Sequence, residues 1–115
     1  MKEISDLIEH KYPIVWRGER LRVEYGNYAI NNSVSIQLMY WDEEDKAEYP
    51  YMTASVYAEG VELEHDEIVI KDYSENEGVL ALLVQHNVVS KPHGTVPLGF
   101  VFGDICQLVD HEDLG

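Results

Sequence analysis

The stretches SVSIQLMYW (33–41) and YMTASVY (51–57) each alternate apolar and polar residues, and only residues 42–50 lie between them. In the first, Val34, Ile36, Leu38 and Tyr40 share one side, with Ser33, Ser35, Gln37 and Met39 on the other. In the second, Met52, Ala54 and Val56 oppose Tyr51, Thr53, Ser55 and Tyr57. A period of two is that of a half-buried β-strand. Two such strands in succession make the intervening DEEDKAEYP the tip of an antiparallel hairpin. A connection of this length predicts either a mobile tip or strands that run on into it. Pro50 cannot donate to a ladder, which suits an edge strand or a strand start.

The rest of the chain extends this pattern. RLRVEY (20–25) alternates strictly, with Leu21, Val23 and Tyr25 on one face, and EIVIK (67–71) reads as a further short strand. Ile4, Leu7 and Ile8 fall at helical spacing, which predicts an amphipathic helix over 2–11 that Pro13 ends. SENE (74–77) matches a capping box, so Ser74 is expected to cap a helix running to about His86, with Leu80, Leu83 and Val84 inward and Asn87 as its stop. The apolar run from Val88 to Asp110 is strand-like and punctuated by Pro92, Gly94, Pro97, Gly99 and Gly103; DHEDLG closes the chain as a polar tail. No repeat or linker divides the 115 residues, so a single α+β domain over 1–115 is expected. Its architecture is expected to be an antiparallel meander of four to six strands with two helices packed on one face.

Charge is the outlying property. The chain carries 22 acidic against 8 basic side chains, a net charge of −14, and the excess is local. Residues 41–78 hold thirteen carboxylates against Lys46 and Lys71, while residues 1–40 balance. Such a field repels nucleic acid and anionic lipid and favours a basic partner. Cys106 is the single cysteine, which excludes an internal disulfide and any multi-thiolate metal site. With no export signal pattern and no run of about 18 apolar residues, the expected location is the cytoplasm.

The order NYAINNSVSIQLMYW, an acidic turn, YMTASVY, IVIKDYSENEGVLALLVQHNVV and TVPLGFVFGDICQL resembles a domain-of-unknown-function family of small bacterial proteins. These are often encoded on phages and other mobile elements. The resemblance spans about residues 25 to 108, and IKDYSENEGVL (70–80) is its most specific part. It implies an α+β fold and a mobile-element setting, and it carries no catalytic or binding residue onto this chain. The N-terminal helix and the density of acid at 42–48 lie outside the shared pattern.

Known chemistries find little purchase in the sequence. From Asp42, a calcium loop would need glycine sixth and glutamate twelfth, where Ala47 and Thr53 stand. The five histidines are scattered without HExxH spacing, and GTVPLGFVFG has no dinucleotide or P-loop spacing. Cys106 lies among apolar neighbours, as a packing residue does rather than a nucleophile. No catalytic residue, metal site or cofactor is expected.

What remains is acid set among aromatics. The expected partner-binding face comprises Trp41, Glu43, Glu44, Asp45, Glu48, Tyr49, Tyr51, Glu62, Glu64, Asp66 and Glu67. Carboxylates would meet lysine and arginine of a host protein, a nucleic-acid-binding protein being one such basic partner, while the rings anchor. Duplex DNA carries one charge per ~1.7 Å, so this acidity compares with a short duplex segment. An inhibitor of a host defence nuclease, anti-CRISPR or anti-restriction in type and DNA-mimicking in manner, fits the size, charge and setting. The alternative is a small-ligand-binding protein or an enzyme that works in a pocket.

Overall fold

The computed structural model describes residues 11–29 and 33–109. The first sheet is a four-stranded antiparallel meander in the order β1-β2-β3-β4: β1 (Ile14–Trp16), β2 (Glu19–Asn27), β3 (Val34–Asp42) and β4 (Ala47–Thr53). Arg17 and Gly18, at φ 51° and 82°, close the β1–β2 hairpin in two residues. Positive φ at both central positions gives the tight turn whose twist matches the flanking strands. Arg17 is fixed further by its guanidinium, which lies 4.0 Å from the Trp16 ring and donates to the carbonyls of Glu75 and Glu77.

The strands around the acidic segment extend into it. Asp42 pairs with Ala47, leaving four residues as the turn. Pro50 sits on β4, an edge strand, the position in a sheet that tolerates proline. A bulge between β3 and β4 at Leu38/Met39 shifts the register beside Tyr51.

The single meander expected from the sequence is corrected to two sheets. After Thr53 the chain leaves the first sheet: Ala54 N–H still donates to Ile36, but Lys71 N–H donates to Ala54 and Val56 N–H to Val69. Ser55 bridges to Ile70. The stretch read as one strand over 51–57 therefore serves both sheets in turn. The second sheet, in the order β5-β7-β6, comprises β5 (Glu67–Ile70), β6 (Gly94–Pro97) and β7 (Phe102–Gln107).

The helices differ from expectation as well. All of the helix expected over 2–11 except Lys11 falls outside the described residues. Among the described residues there is one α-helix, α1 (Val79–Gln85), preceded by a 3-10 turn at Ser74–Asn76. Ser74, at φ 55°, does not cap α1. Asp72 does so from farther back, its Oδ1 accepting the N–H groups of Gly78 and Leu80 at 2.9 and 3.0 Å. The expected stop holds: Asn87 is left-handed at φ 59°, with its N–H on Val84 and the Val88 N–H on Leu83. This pair of bonds satisfies the last carbonyls of the helix.

One core joins the three layers. Leu21, Ile36 and Leu38 from the first sheet, Ile68, Ile70 and Cys106 from the second, and Val79, Leu82 and Leu83 from α1 bury against one another. Val69 and Val96 point to the other face of the second sheet, where Ala58, Val61 and Leu63 of the long connection cover them. The run IVI (68–70) is apolar without alternation because β5 is buried on both faces.

Candidate functional site

The β3–β4 tip is an ordered acidic turn. Asp42 Oδ1 accepts the N–H groups of Glu44 and Asp45, an aspartate folding back on its own turn. Trp41 Nε1–H donates to Glu43 at 2.8 Å, Lys46 donates to Glu43 at 3.0 Å, and the Tyr49 hydroxyl donates to Asp45 at 2.9 Å. Lys46, with help from Trp41, holds the Glu43 carboxyl below its ordinary range, so it stays ionised. Asp45 pushes the Tyr49 phenol up. Glu43, Glu44, Asp45 and Tyr49 are exposed.

Beside the tip lies a notch of about 260 Å³, lined by Tyr12, Gly18, Glu19, Arg20, Trp41 and Glu43. Its lining sets two carboxylates against one guanidinium, and Arg20 Nε is taken by the Tyr12 carbonyl at 3.1 Å. An indole face with carboxylates beside it is suited to a lysine or arginine side chain.

The remaining expected residues are placed differently. Glu48 turns away from the exposed acids: both of its carboxylate oxygens accept from the Arg22 guanidinium, and Oε2 also accepts from the Tyr12 hydroxyl at 2.7 Å. Chiefly through Arg22, its carboxyl is held down at about 2. Tyr51 packs against the core, edge-on to Trp16 and Tyr40 at 6.5 and 6.2 Å. Glu62 and Glu64 are exposed in the connection to β5, with Asp66 and Glu67 half-buried at its end. Glu67 accepts the Glu64 N–H at 2.9 Å and meets His93 Nε2 at 2.6 Å, contacts that hold its carboxyl low. Asp66 accepts from Gln107 Nε2 at 3.3 Å. This second acidic group belongs to the other sheet. The length of β4, about 20 Å at ~3.3 Å per residue, separates the tip from the crossing to that sheet.

A feature the sequence did not single out lies at that crossing. Tyr28, Tyr51, Ser55, Tyr57, Lys71 and Asn76 are among the residues around a cleft of about 450 Å³. Its polar floor, Ser55 and Asn76, is 3% and 1% exposed. Tyr51, Tyr57 and Asn76 lie in separate sequence patterns, the strand read over 51–57 and the SENE segment, and only the crossing of the chain between sheets brings them together with Tyr28.

Burial, with Asp104 and Asp72 nearby, pushes the Cys106 thiol up to about 12. Cys106 is fully buried and packs within the core cluster. Among the described residues no set of three or more His, Cys, Asp or Glu side chains is placed to hold a metal ion, and no helix is long and apolar enough to cross a membrane. Comparison of the chain with protein-family models, with curated proteins and with solved structures finds no match.

Proposed function

We propose that the protein is a non-enzymatic binding module that docks a basic protein surface against its β3–β4 tip. The observation that carries this reading is the notch beside the tip. It joins the Trp41 ring to the Glu19 and Glu43 carboxylates at the base of a turn already held by side-chain hydrogen bonds. A lysine or arginine of the partner enters the notch, while Glu44 and Asp45 set the long-range attraction. Because the turn is locked before binding, little side-chain entropy is lost on association.

Glu48 and Tyr51 are left out of this contact surface, since the first is held by Arg22 and the second by the core. The exposed Glu62 and Glu64 add to the field without sharing the tip. Inhibition of a host defence nuclease is the partner class we favour, because a nucleic-acid-binding surface is basic and the chain is strongly acidic. The mobile-element setting in this proposal rests on the resemblance over about residues 25 to 108.

The test uses the whole chain as bait in bacterial lysate at 0.1 M salt, beside two variants. One neutralises the tip (Asp42→Asn, Glu43→Gln, Glu44→Gln, Asp45→Asn), and the other is Glu62→Gln with Glu64→Gln. A basic protein enriched by wild type and by the second variant, and lost with the first, supports the tip. Equal retention by both variants contradicts it.

A further inference from the structure

The β6–β7 hairpin ends in an ordered apolar turn. Leu98 N–H donates to the Val101 carbonyl at 2.8 Å, and Gly99, at φ 90°, reverses the chain between them. The two faces of the hairpin differ. On one, Val96 and Leu98 pack with Val69 over Gly103 in the smaller core. The other carries Phe102, Asp104 and Cys106 of β7, with Pro97 and Thr95 of β6 opposite the first two. This face joins the main core through Cys106, Ile68 and Ile70, and there its cover ends. Thr95 and Pro97 are exposed, Phe102 is 65% exposed, and Phe100 in the turn stands wholly in solvent.

Asp104 stands at the boundary, between Ile70 on β5 and Thr95 on β6. Its carboxylate is half-buried and makes no hydrogen bond or ion pair among the described residues. Burial, with Asp72 nearby, pushes its pKa up. Lys71, which follows Ile70, is taken by Glu75, and His93, which precedes β6, meets Glu67. A half-buried carboxylate without a partner is costly, and a cation is the group that relieves it. Exposed aromatic rings beside it, in a segment from Pro92 to Gly103 that holds no Asp, Glu, Lys or Arg, mark an interaction surface. The occupant therefore brings an apolar side to Phe102 and a cation about 7 Å along the strand, the rise of two residues. A lipid surface supplies the first but sets phosphates against Asp104, and the net charge of −14 repels anionic lipid and a second copy alike.

We propose that this face docks a basic amphipathic helix of another protein, its apolar side on Phe100 and Phe102 and a lysine or arginine on Asp104. A helix suits an open sheet face, and α1 already contributes to the core that covers the Cys106 end of this one. The surface belongs to the second sheet and does not depend on the β3–β4 tip.

The test is a titration of the full chain, followed by amide NMR shifts, with a helical peptide of leucine and lysine and with its counterpart carrying glutamate for lysine. The lysine peptide is expected to bind saturably with a Kd below about 1 mM. Its shifts should include Thr95 to Asp104 in wild type and in the tip-neutralised chain alike. The glutamate peptide should bind at least about tenfold more weakly. Phe102→Thr, at an exposed strand position, should weaken binding to the tip-neutralised chain about tenfold. Asp104→Asn in the same chain should weaken it several-fold and flatten its salt dependence. Neither side chain is needed by the core, so both variants should keep the dispersed amide spectrum of wild type. Shifts confined to the β3–β4 tip, equal binding of the glutamate peptide, or undiminished binding by either variant would each overturn the assignment. So would shifts at Phe100 and Phe102 with phosphatidylcholine vesicles and none with the peptide, or a dimer in sedimentation that Phe102→Thr dissolves.

Discussion

Replacing Glu48 with glutamine separates an acid that holds the fold from the acids around it. The Glu48 side chain is 22% exposed and takes hydrogen bonds from Arg22 and Tyr12, which hold its pKa at about 2 against an ordinary 4.5. A depression of that size corresponds to about 3 kcal/mol at most. Water reaches part of the pair, and Arg22 keeps Glu24 as a second partner at 2.6 Å, so the expected loss in Glu48→Gln at pH 7 is about 1–2 kcal/mol. Because the folded-state pKa is depressed, this stability is fully present above pH 4.5. It fades as pH falls from there through about 2. Urea melts of both proteins at pH 7, 5 and 3 measure it. The gap between them should hold from pH 7 to 5 and narrow by pH 3. A gap that is constant with pH, or one within error of zero at pH 7, would refute the reasoning.

Three further outcomes follow from the fold. Asp72→Ala should cost about 0.5–2 kcal/mol in urea melts because it strips the cap from α1, while Ser74→Ala should cost less than about 0.5; the reverse order would restore Ser74 as the cap. A Cβ on Gly103 would lie 2.4 Å from Val69 Cγ1 and 2.9 Å from Leu98 Cδ1. Gly103→Ala should therefore destabilise by about 1–3 kcal/mol, and a neutral substitution would show that β7 shifts freely. Raising NaCl from 0.1 to 1 M shortens the Debye length from about 10 to 3 Å. The Tm should rise as the carboxylates of 41–78 are screened, whereas a flat response would mean that pairs such as Arg22–Glu48 already balance them.

Alternation along β2 and β3 was legible because one face of each strand meets the core, whereas the strand read over 51–57 overlaps β4 (Ala47–Thr53) only at its end. Asn87 was legible because a left-handed helix stop favours that residue. The division into two sheets was not, since the crossing at Ala54–Val56 breaks neither the alternation nor the composition. The SENE pattern pointed to Ser74 because local capping rules look three residues ahead, whereas Asp72 reaches six residues forward across a 3-10 turn. Glu48 looked like one more exposed acid because its partner Arg22 lies 26 residues away and meets it only through the sheet. At the candidate sites, the exposed tip was readable from the two alternating strands that flank it. The notch and the cleft were not, because each is assembled from strands distant in sequence.

The central claim is that the tip recruits a basic partner, and association kinetics test it most directly. With the basic protein captured from lysate immobilised, the on-rate of wild type is compared with that of the tip-neutralised chain from 0.05 to 0.5 M NaCl. Charge complementarity acts mainly on the encounter. The on-rate of the neutralised chain should therefore fall several-fold at low salt and lose its salt dependence, while Trp41→Ala chiefly speeds dissociation. A neutralised chain with wild-type on-rate and salt slope would contradict the account.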